Sequence, residues 1–462
     1  MDEVPQSAPA VDLMHAFTPQ AIYWLLYPAT KRHKYKACHD SCKICASFIA
    51  SLDAWRPNDR NSPVPCHSPS MRMGRSAGPD ELIAELIRFV RPEAYEDRYS
   101  HRMAICELVS MWFNEMLRSG RVPEGDFAKC TTTPLLKAVK PGQPVPPLWN
   151  PDMYRGITNG NMLGKLFSVA LAMRMSHWAV RTGVLGPEQV AFLNFHGTEE
   201  HVFSLLQVAR ARARDGQSTY ALFVDFQKAY DMVHQGALWA VLERMGVPVK
   251  LVSLLRDWAA KRRTCVKVNG NLSAEYPMAK GVPQGDPLSC LLFSLFIESL
   301  SRYLKSRPDL AGVTAFGGQF CLRQLLYADD LVVLANSPEE LQRALSHVKA
   351  WSDAWRMPIS IGAGKTEAMH LSVASPRIVD PAPLQLSPGQ LVQWVDSYKY
   401  LGYVLRSDLR DEDATARLKE HMEFMWNSKF VHSGVVRRAS PTFQLQYFSC
   451  LVQGALQYLR SL

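Results

Sequence analysis

Leu326-Tyr327-Ala328-Asp329-Asp330-Leu331 sets two adjacent carboxylates between two short apolar runs, Phe320–Leu326 and Leu331–Leu334. The flanking runs predict two strands joined by a tight turn. Carboxylates gathered in such a place are costly unless something compensates them. The natural compensator for clustered Asp is a hard divalent cation that takes oxygen ligands. A third carboxylate stands far upstream: Asp225 ends Thr219–Phe226, an apolar, β-favouring run entered through Asp215-Gly216 and read as a buried strand. Two cations ~3.5–4 Å apart are a standard device for phosphoryl transfer. One lowers the pKa of an attacking hydroxyl; the other holds a triphosphate and its departing pyrophosphate. Taken singly, these side chains fit a solvated turn and a strand cap, so their surroundings must decide.

Those surroundings are regular. After Asp225, the residues Val233, Ala237, Leu238, Val241, Leu242 and Met245 trace one face of a helix, stopped by Gly246 with Pro248 beyond. Asp286-Pro287 reads as N-cap and first residue of a helix through Leu292, Phe293, Phe296 and Ile297. Ser337-Pro338-Glu339-Glu340 reads as a capping box before a helix striped by Leu341, Ala344, Leu345, Val348 and Trp355. Upstream, Leu82–Val90 and Ile105–Leu117 have helical spacing, and the proline-dense stretch 140–147 reads as a loop. Strands and helices alternate without βαβ regularity, which favours an α+β fold over a doubly wound sheet.

Composition bounds the rest. The chain has 462 residues, 47% hydrophobic and 21% charged, which excludes a disordered tail or a coiled coil and suits two to three domains. Lys+Arg 52 against Asp+Glu 43 gives a net charge of +9, a mild excess that suits a polyanionic partner. Ten cysteines at irregular spacing are too few for a disulfide scaffold and fit a reducing compartment. Met1-Asp2-Glu3-Val4-Pro5 lacks the basic and apolar stretches of a secretory leader, and runs such as Leu291–Ile297 fall far short of a membrane span. The expectation is an intracellular protein, nuclear or cytoplasmic, neither secreted nor membrane-bound.

Three motifs occur in order: Phe223-Val224-Asp225-Phe226-Gln227-Lys228-Ala229-Tyr230-Asp231, Gly281-Val282-Pro283-Gln284-Gly285-Asp286-Pro287-Leu288-Ser289, and Leu326-Tyr327-Ala328-Asp329-Asp330-Leu331. Together they resemble the palm motifs of reverse transcriptases, specifically those of non-LTR (LINE-like) retrotransposons. The resemblance extends through Gly78-Pro79-Asp80, Leu135-Leu136-Lys137 with Lys140-Pro141-Gly142, Tyr154-Arg155-Gly156-Ile157-Thr158, Leu163-Gly164-Lys165-Leu166-Phe167, Lys365-Thr366-Glu367 and Tyr398-Lys399-Tyr400-Leu401-Gly402. It implies a right-hand polymerase: an N-terminal region over 1–77, fingers 78–215, palm and primer-grip hairpin 216–404, and a partial helical thumb 405–462, with the reverse transcriptase domain at about 118–404.

The resemblance also implies roles. Asp225 and Asp329 would ligate two Mg²⁺ ions (Mn²⁺ being the alternative), with Asp330 in support and the Phe226 carbonyl as a further ligand. Tyr230 matches the bulky residue that blocks a ribose 2′-OH and so selects dNTPs. Gln284 would contact the nascent base pair, and Arg155 the triphosphate, where a planar fork suits phosphate. Lys137 or Lys140 would partner Arg155, and Lys365 would neutralise or protonate the departing pyrophosphate. Tyr398, Lys399, Tyr400, Leu401 and Gly402 would form the primer grip. The implied partners are an RNA template, a DNA primer and dNTPs, with no membrane and an undefined oligomeric state.

The chain also departs from the family. Where it usually shows Gln-x-Gly-Phe-Arg-x-Gly-Arg-x-Thr, this sequence has Gln189-Val190-Ala191-Phe192-Leu193-Asn194-Phe195-His196-Gly197-Thr198, losing both arginines and two glycines. A basic, template-contacting segment is thereby weakened. Gly362-Ala363-Gly364 stands where an asparagine is usual. Cys38, Cys42 and Cys45 with His33, His39 and the distant Cys66-His67 are dense in metal-ligand types but lack zinc spacing, so they read as incidental thiols. With no endonuclease-like or RNase H-like carboxylate set and a thumb cut short, the sequence suggests a truncated element. The competing readings are an inactive retroelement remnant that at most binds nucleic acid, and an RNA-dependent RNA polymerase, which Tyr230 and Tyr327-Ala328-Asp329-Asp330 disfavour because they fit reverse transcriptases better.

Overall fold

The computed structural model describes residues 13–17, 19, 22, 79, 98–137, 149–193, 196–373 and 381–410. The expected helix over 82–90, the 140–147 loop, Lys140, the N-terminal cysteine cluster and the expected thumb beyond Arg410 lie outside the described residues. In chain order the elements are α1 (Arg98–Ser119), β1 (Lys129–Leu136), β2 (Tyr154–Gly160), α2 (Met162–Arg181), α3 (Thr198–Arg214), β3 (Thr219–Val224), α4 (Gln235–Arg244), α5 (Val249–Lys261), β4 (Arg263–Val268), β5 (Asn271–Leu272) and β6 (Tyr276–Pro277). They continue with α6 (Pro287–Lys305), β7 (Val313–Ala315), β8 (Phe320–Leu322), β9 (Gln324–Tyr327), β10 (Asp330–Ala335), α7 (Pro338–Trp355), β11 (Glu367–Leu371), β12 (Leu384–Ser387), β13 (Gln390–Val392), β14 (Ser397–Tyr400) and β15 (Tyr403–Arg406). The expected α+β class holds.

The chain divides into two compact units, each assembled from separated stretches, whereas the ranges expected from sequence were contiguous. The first unit takes Gly186–Ala229 and the chain from Ile297 onward. Its centre is a sheet in the order β11-β3-β10-β9, antiparallel throughout, with Leu331 opposite Val224 and Asp330 opposite Tyr327. Ala221 and Phe223 of β3 point to a core shared with Val202, Leu205 and Leu206 of α3 and with Tyr400 and Tyr403 of the last hairpin. On the other face α7 packs on β3 and β10, burying Leu341, Leu345 and Val348. Period-2 alternation thus feeds two layers, and burying both faces of the strands explains their near-continuous apolar character. Arg212, buried at the end of α3, donates to Thr219 Oγ1, Ser218 O, Thr314 O and Asn336 Oδ1 at 2.9–3.0 Å, so its charge is fully engaged.

The second unit takes the chain up to Leu185 and Tyr230–Phe296. Its sheet runs β2-β1-β4-β5, with β6 on β4; β1 and β4 pair in parallel and β1 and β2 antiparallel. Thr132 Oγ1 lies 3.2 Å from Thr158 Oγ1 and 2.9 Å from Thr264 Oγ1, a hydroxyl ladder across three strands. Phe113, Phe127, Phe167 and Trp258 form its aromatic core, with ring centroids 4.7–6.2 Å apart.

Two local expectations are corrected. Phe320–Leu326 is not one strand: it breaks at Arg323 into β8 and β9, which join different sheets. The Arg323 guanidinium donates to Leu304 O and Lys305 O at the end of α6, a tertiary contact that local sequence does not announce. The capping box is half formed. Ser337 Oγ accepts from Glu340 N as expected, but the buried Glu340 carboxylate accepts from Ala311, Gly312 and Asn336 N–H groups. Asp286 does cap α6, accepting from Leu288 N at 3.1 Å, and also pairs with Arg262 and Ser168.

Candidate active site

Asp225 follows directly on the last residue of β3, Val224, which β10 pairs through Leu331, next to Asp330. The register therefore carries all three candidate carboxylates to one end of the first unit's sheet. Beyond β3 the chain stays tied down. Thr366 Oγ1 accepts from Asp225 N at 3.1 Å, Asp225 O accepts from Ser360 N at 2.7 Å, and Phe226 bridges to Ile359. These contacts to the Asp225 and Phe226 backbone aim the Asp225 side chain and leave its carboxylate to other partners. Sequence reading missed Ser360 and named Thr366 only as part of the Lys365-Thr366-Glu367 motif, without this role; both lie over 130 residues downstream of Asp225.

Lys365 Nζ lies 3.2 and 3.4 Å from the Asp225 carboxylate oxygens, so these two expected site residues meet directly. Burial and the negative charges of Asp329 and Asp225 push the Asp330 carboxyl up to about 7, with Lys365 opposing. Asp330 nonetheless keeps an exposed side chain, so the direction and its like-charge cause are what bear on the site. Repulsion of this kind is what a cation would relieve. The donor set is all oxygen and anionic, which fits Mg²⁺ or Mn²⁺ in kind. Among the described residues, however, no three His, Cys, Asp or Glu side chains are already arranged as a metal cluster.

The expected primer-grip segment divides. β14 and β15 form a hairpin whose two loop residues, Leu401 and Gly402, both have positive φ (46° and 93°), the type I′ pattern that matches strand twist. Tyr398 stacks on Phe223 at 4.1 Å and 16°, and its hydroxyl donates to Lys365 O at 3.0 Å. Burial, Asp330 and Asp225 all hold its phenol well above the ordinary tyrosine range. Lys399 is exposed, while Tyr400 is 3% exposed and belongs to the core. Another residue that sequence reading missed is His201 on α3. It is buried, edge-on to Tyr327 at 6.0 Å, and pushed down to about 4 by burial and His196.

The remaining expected residues belong to the second unit. Tyr230 stacks on Phe293 at 4.5 Å and 12°, and its carbonyl accepts from Val282 N. A Cβ on Gly281 would come within 2.8–3.0 Å of backbone atoms of Tyr230 and Asp231, so only glycine lets these motifs approach. Gln284 O accepts from Thr158 N of β2 at 2.7 Å, and a Cβ on Gly285 would meet Thr158 O at 2.6 Å. Arg155 is exposed on β2. Lys137, just past β1, donates from Nζ to Asp152 O at 2.7 Å.

An antiparallel sheet with three aspartates at one end, flanked by helices and followed by a hairpin, is the arrangement expected of the reverse transcriptase fold. The family model described as reverse transcriptase (RNA-dependent DNA polymerase) matches residues 140–405, more than half the chain, and the chain belongs to that family. Its relatives are proteins of non-LTR retrotransposons. It is 28% identical over 280 residues to a probable RNA-directed DNA polymerase from transposon BS of Drosophila melanogaster (59% of this chain, 29% of that one). It is 27% identical over 347 residues to the RNA-directed DNA polymerase from mobile element jockey of Drosophila funebris (71% and 35%). It is 26% identical over 309 residues to the Pol polyprotein from a type-1 retrotransposable element R2 of Nasonia vitripennis (66% and 28%). The chain thus spans about a third of the length of these relatives. Apo telomerase of Candida tropicalis, truncated from its C-terminal domain, is a remote structural likeness at 13% identity and a TM-score of 0.41 over 71% of this chain and 65% of that one. Among the described residues no helix is long and apolar enough to cross a membrane.

Proposed function

We propose that this chain is an RNA-directed DNA polymerase that extends a primer 3′-OH with dNTPs on an RNA template. The observation that carries the reading is the strand register that delivers Asp225, Asp329 and Asp330 to one sheet end, with Lys365 against Asp225. In this reading Asp225 and Asp329 would hold two divalent cations, with Asp330 and the Phe226 carbonyl in support. The cations supply charge neutralisation and an acidified 3′-OH when bound. The chain's own residues do the rest. Lys365 exchanges its pairing with Asp225 for the negative charge of pyrophosphate. Tyr230 excludes a 2′-OH, Gln284 contacts the nascent pair, and Arg155 with Lys137 or Lys140 holds the triphosphate. Phosphate contacts from Lys and Arg make template binding salt-dependent and largely indifferent to sequence. The proposed palm and primer-grip hairpin run over 216–404, with fingers before and a thumb after.

The loss of both arginines from 189–198 favours a second reading, an inactive remnant that binds nucleic acid. One assay separates them: full-length protein, primed homopolymer RNA and Mg²⁺, with dNTPs or NTPs, beside Asp329→Asn. Incorporation of dNTPs that the substitution abolishes is the expected result. Incorporation that survives it would refute the site, binding without incorporation would favour the remnant, and a preference for NTPs would indicate an RNA polymerase.

A further inference from the structure

The altered segment 189–198 begins with a residue whose contacts a template role does not explain. Gln189 is fully buried in the first unit. Its Oε1 accepts from Ala328 N at 3.1 Å and from Ala191 N at 3.2 Å, and its Nε2 donates to Ala328 O at 3.3 Å. Two N–H groups on one side and a carbonyl on the other fix the orientation of the amide. The neighbouring backbone reinforces the contact: Leu326 N donates to Glu188 O at 2.9 Å, and Gln189 bridges Leu326 in parallel.

What Gln189 grips is the two-residue turn between β9 and β10. Ala328 has φ 55° and Asp329 does not share the positive sign, the pattern of a type II′ turn, whose first loop position ordinarily falls to glycine. An alanine there is strained. The carbonyl that Gln189 holds belongs to the peptide joining Ala328 to Asp329, and the N–H it holds belongs to the preceding peptide. Both peptide planes that flank Ala328, the second of which leads into Asp329, are therefore clamped by one side chain from 139 residues upstream.

We infer that Gln189 is a positioning residue: it locks the turn that carries Asp329 and acts on the reaction through it, not through template or primer. The segment thus has two separable jobs, of which this chain keeps the clamp and has lost the basic contacts. The catalytic half of this inference rests on the proposed polymerase function; the structural half does not.

The test compares the full chain with Gln189→Met, apolar and of similar length, and with Gln189→Asn, polar but one methylene too short. Hydrogen–deuterium exchange of a peptide spanning 324–331 should quicken about tenfold in either variant, the scale of one lost buried hydrogen bond, while a peptide spanning 219–224 stays unchanged. In primer extension kcat should fall, with KM for dNTP and the dissociation constant for primed RNA unchanged. A folded variant whose 324–331 peptide exchanges as slowly as wild type overturns the clamp. Unchanged kcat with weakened RNA binding moves Gln189 to the nucleic-acid surface and overturns the positioning role. If wild type itself incorporates nothing, the polymerase reading fails on its own, and the exchange arm still decides the clamp.

Discussion

The two main sheets are built to opposite specifications. In β3, β9, β10 and β11 nearly every residue is buried; Tyr220 and Tyr327 are half-buried, and the one exposed position, Asp330, lies at the end where the aspartates sit. In β1, β2 and β4 buried and open positions mix; Leu135 and Leu136 are 52% and 47% exposed, and the cross-strand contacts are threonine hydroxyls. A close-packed sheet resists displacement, which suits side chains that must hold charge at fixed spacing. An open strand with exposed Arg155 suits a surface that receives a ligand. The difference teaches that this chain concentrates rigidity under its carboxylates.

The largest effect should come from Asp329→Asn, which removes a proposed metal ligand at the rigid end. Incorporation is expected to fall on the order of 10³-fold while thermal stability holds or rises, because a like charge has gone; a primer-extension rate and a melting curve check both. Next, Phe223→Ala opens the core beneath Tyr398 and should cost ~3–5 kcal/mol in denaturant unfolding. The third test is a pH series on Glu298 of α6, which is buried and pushed up to about 7 by burial, with Lys305, the Gly186 N–H and Arg302 opposing. Its folded value exceeds its ordinary 4.5, so between about 4.5 and 7 the native state keeps a proton that the unfolded chain has lost. Stability should therefore fall as pH rises through that window and level off above it, by about 3 kcal/mol in all. Glu298→Gln should flatten the slope. The smallest effect belongs to the open sheet: Leu135→Ala should stay within ~0.5 kcal/mol. If it matched Phe223→Ala, the contrast between the sheets would break.

What could be read from sequence was what local chemistry encodes. Asp286-Pro287 does cap α6, Ser337 does cap α7, and Gly246 with φ 89° does end α4, because caps and left-handed positions are written in neighbouring residues. The carboxylates were legible because buried strands that end in aspartate are chemically odd. What failed depends on distant partners. Arg323 breaks an expected strand by binding the end of α6, and Glu340 leaves its box to serve three N–H groups upstream. Helix α3 went unread, as did the meeting of Gln189 with Ala328. Lys365 beside Asp225 was expected only as a phosphate ligand, and its resting pairing follows from the register of β11 on β3.

The placement of β3 has a consequence for synthesis. Thr219-Tyr220-Ala221-Leu222-Phe223-Val224 carries no charge and no proline, and its two sheet neighbours are β10 and β11. A ribosome adding roughly 5–20 residues per second needs roughly 7–30 s to pass from Val224 to Leu371. For most of that interval, until β10 is made, a short, sticky strand waits with both edges bare, and the edge that β11 covers stays bare to its end, the kind of segment that self-associates. Expression at low temperature or with holdase chaperones should therefore govern how much usable protein a cell yields.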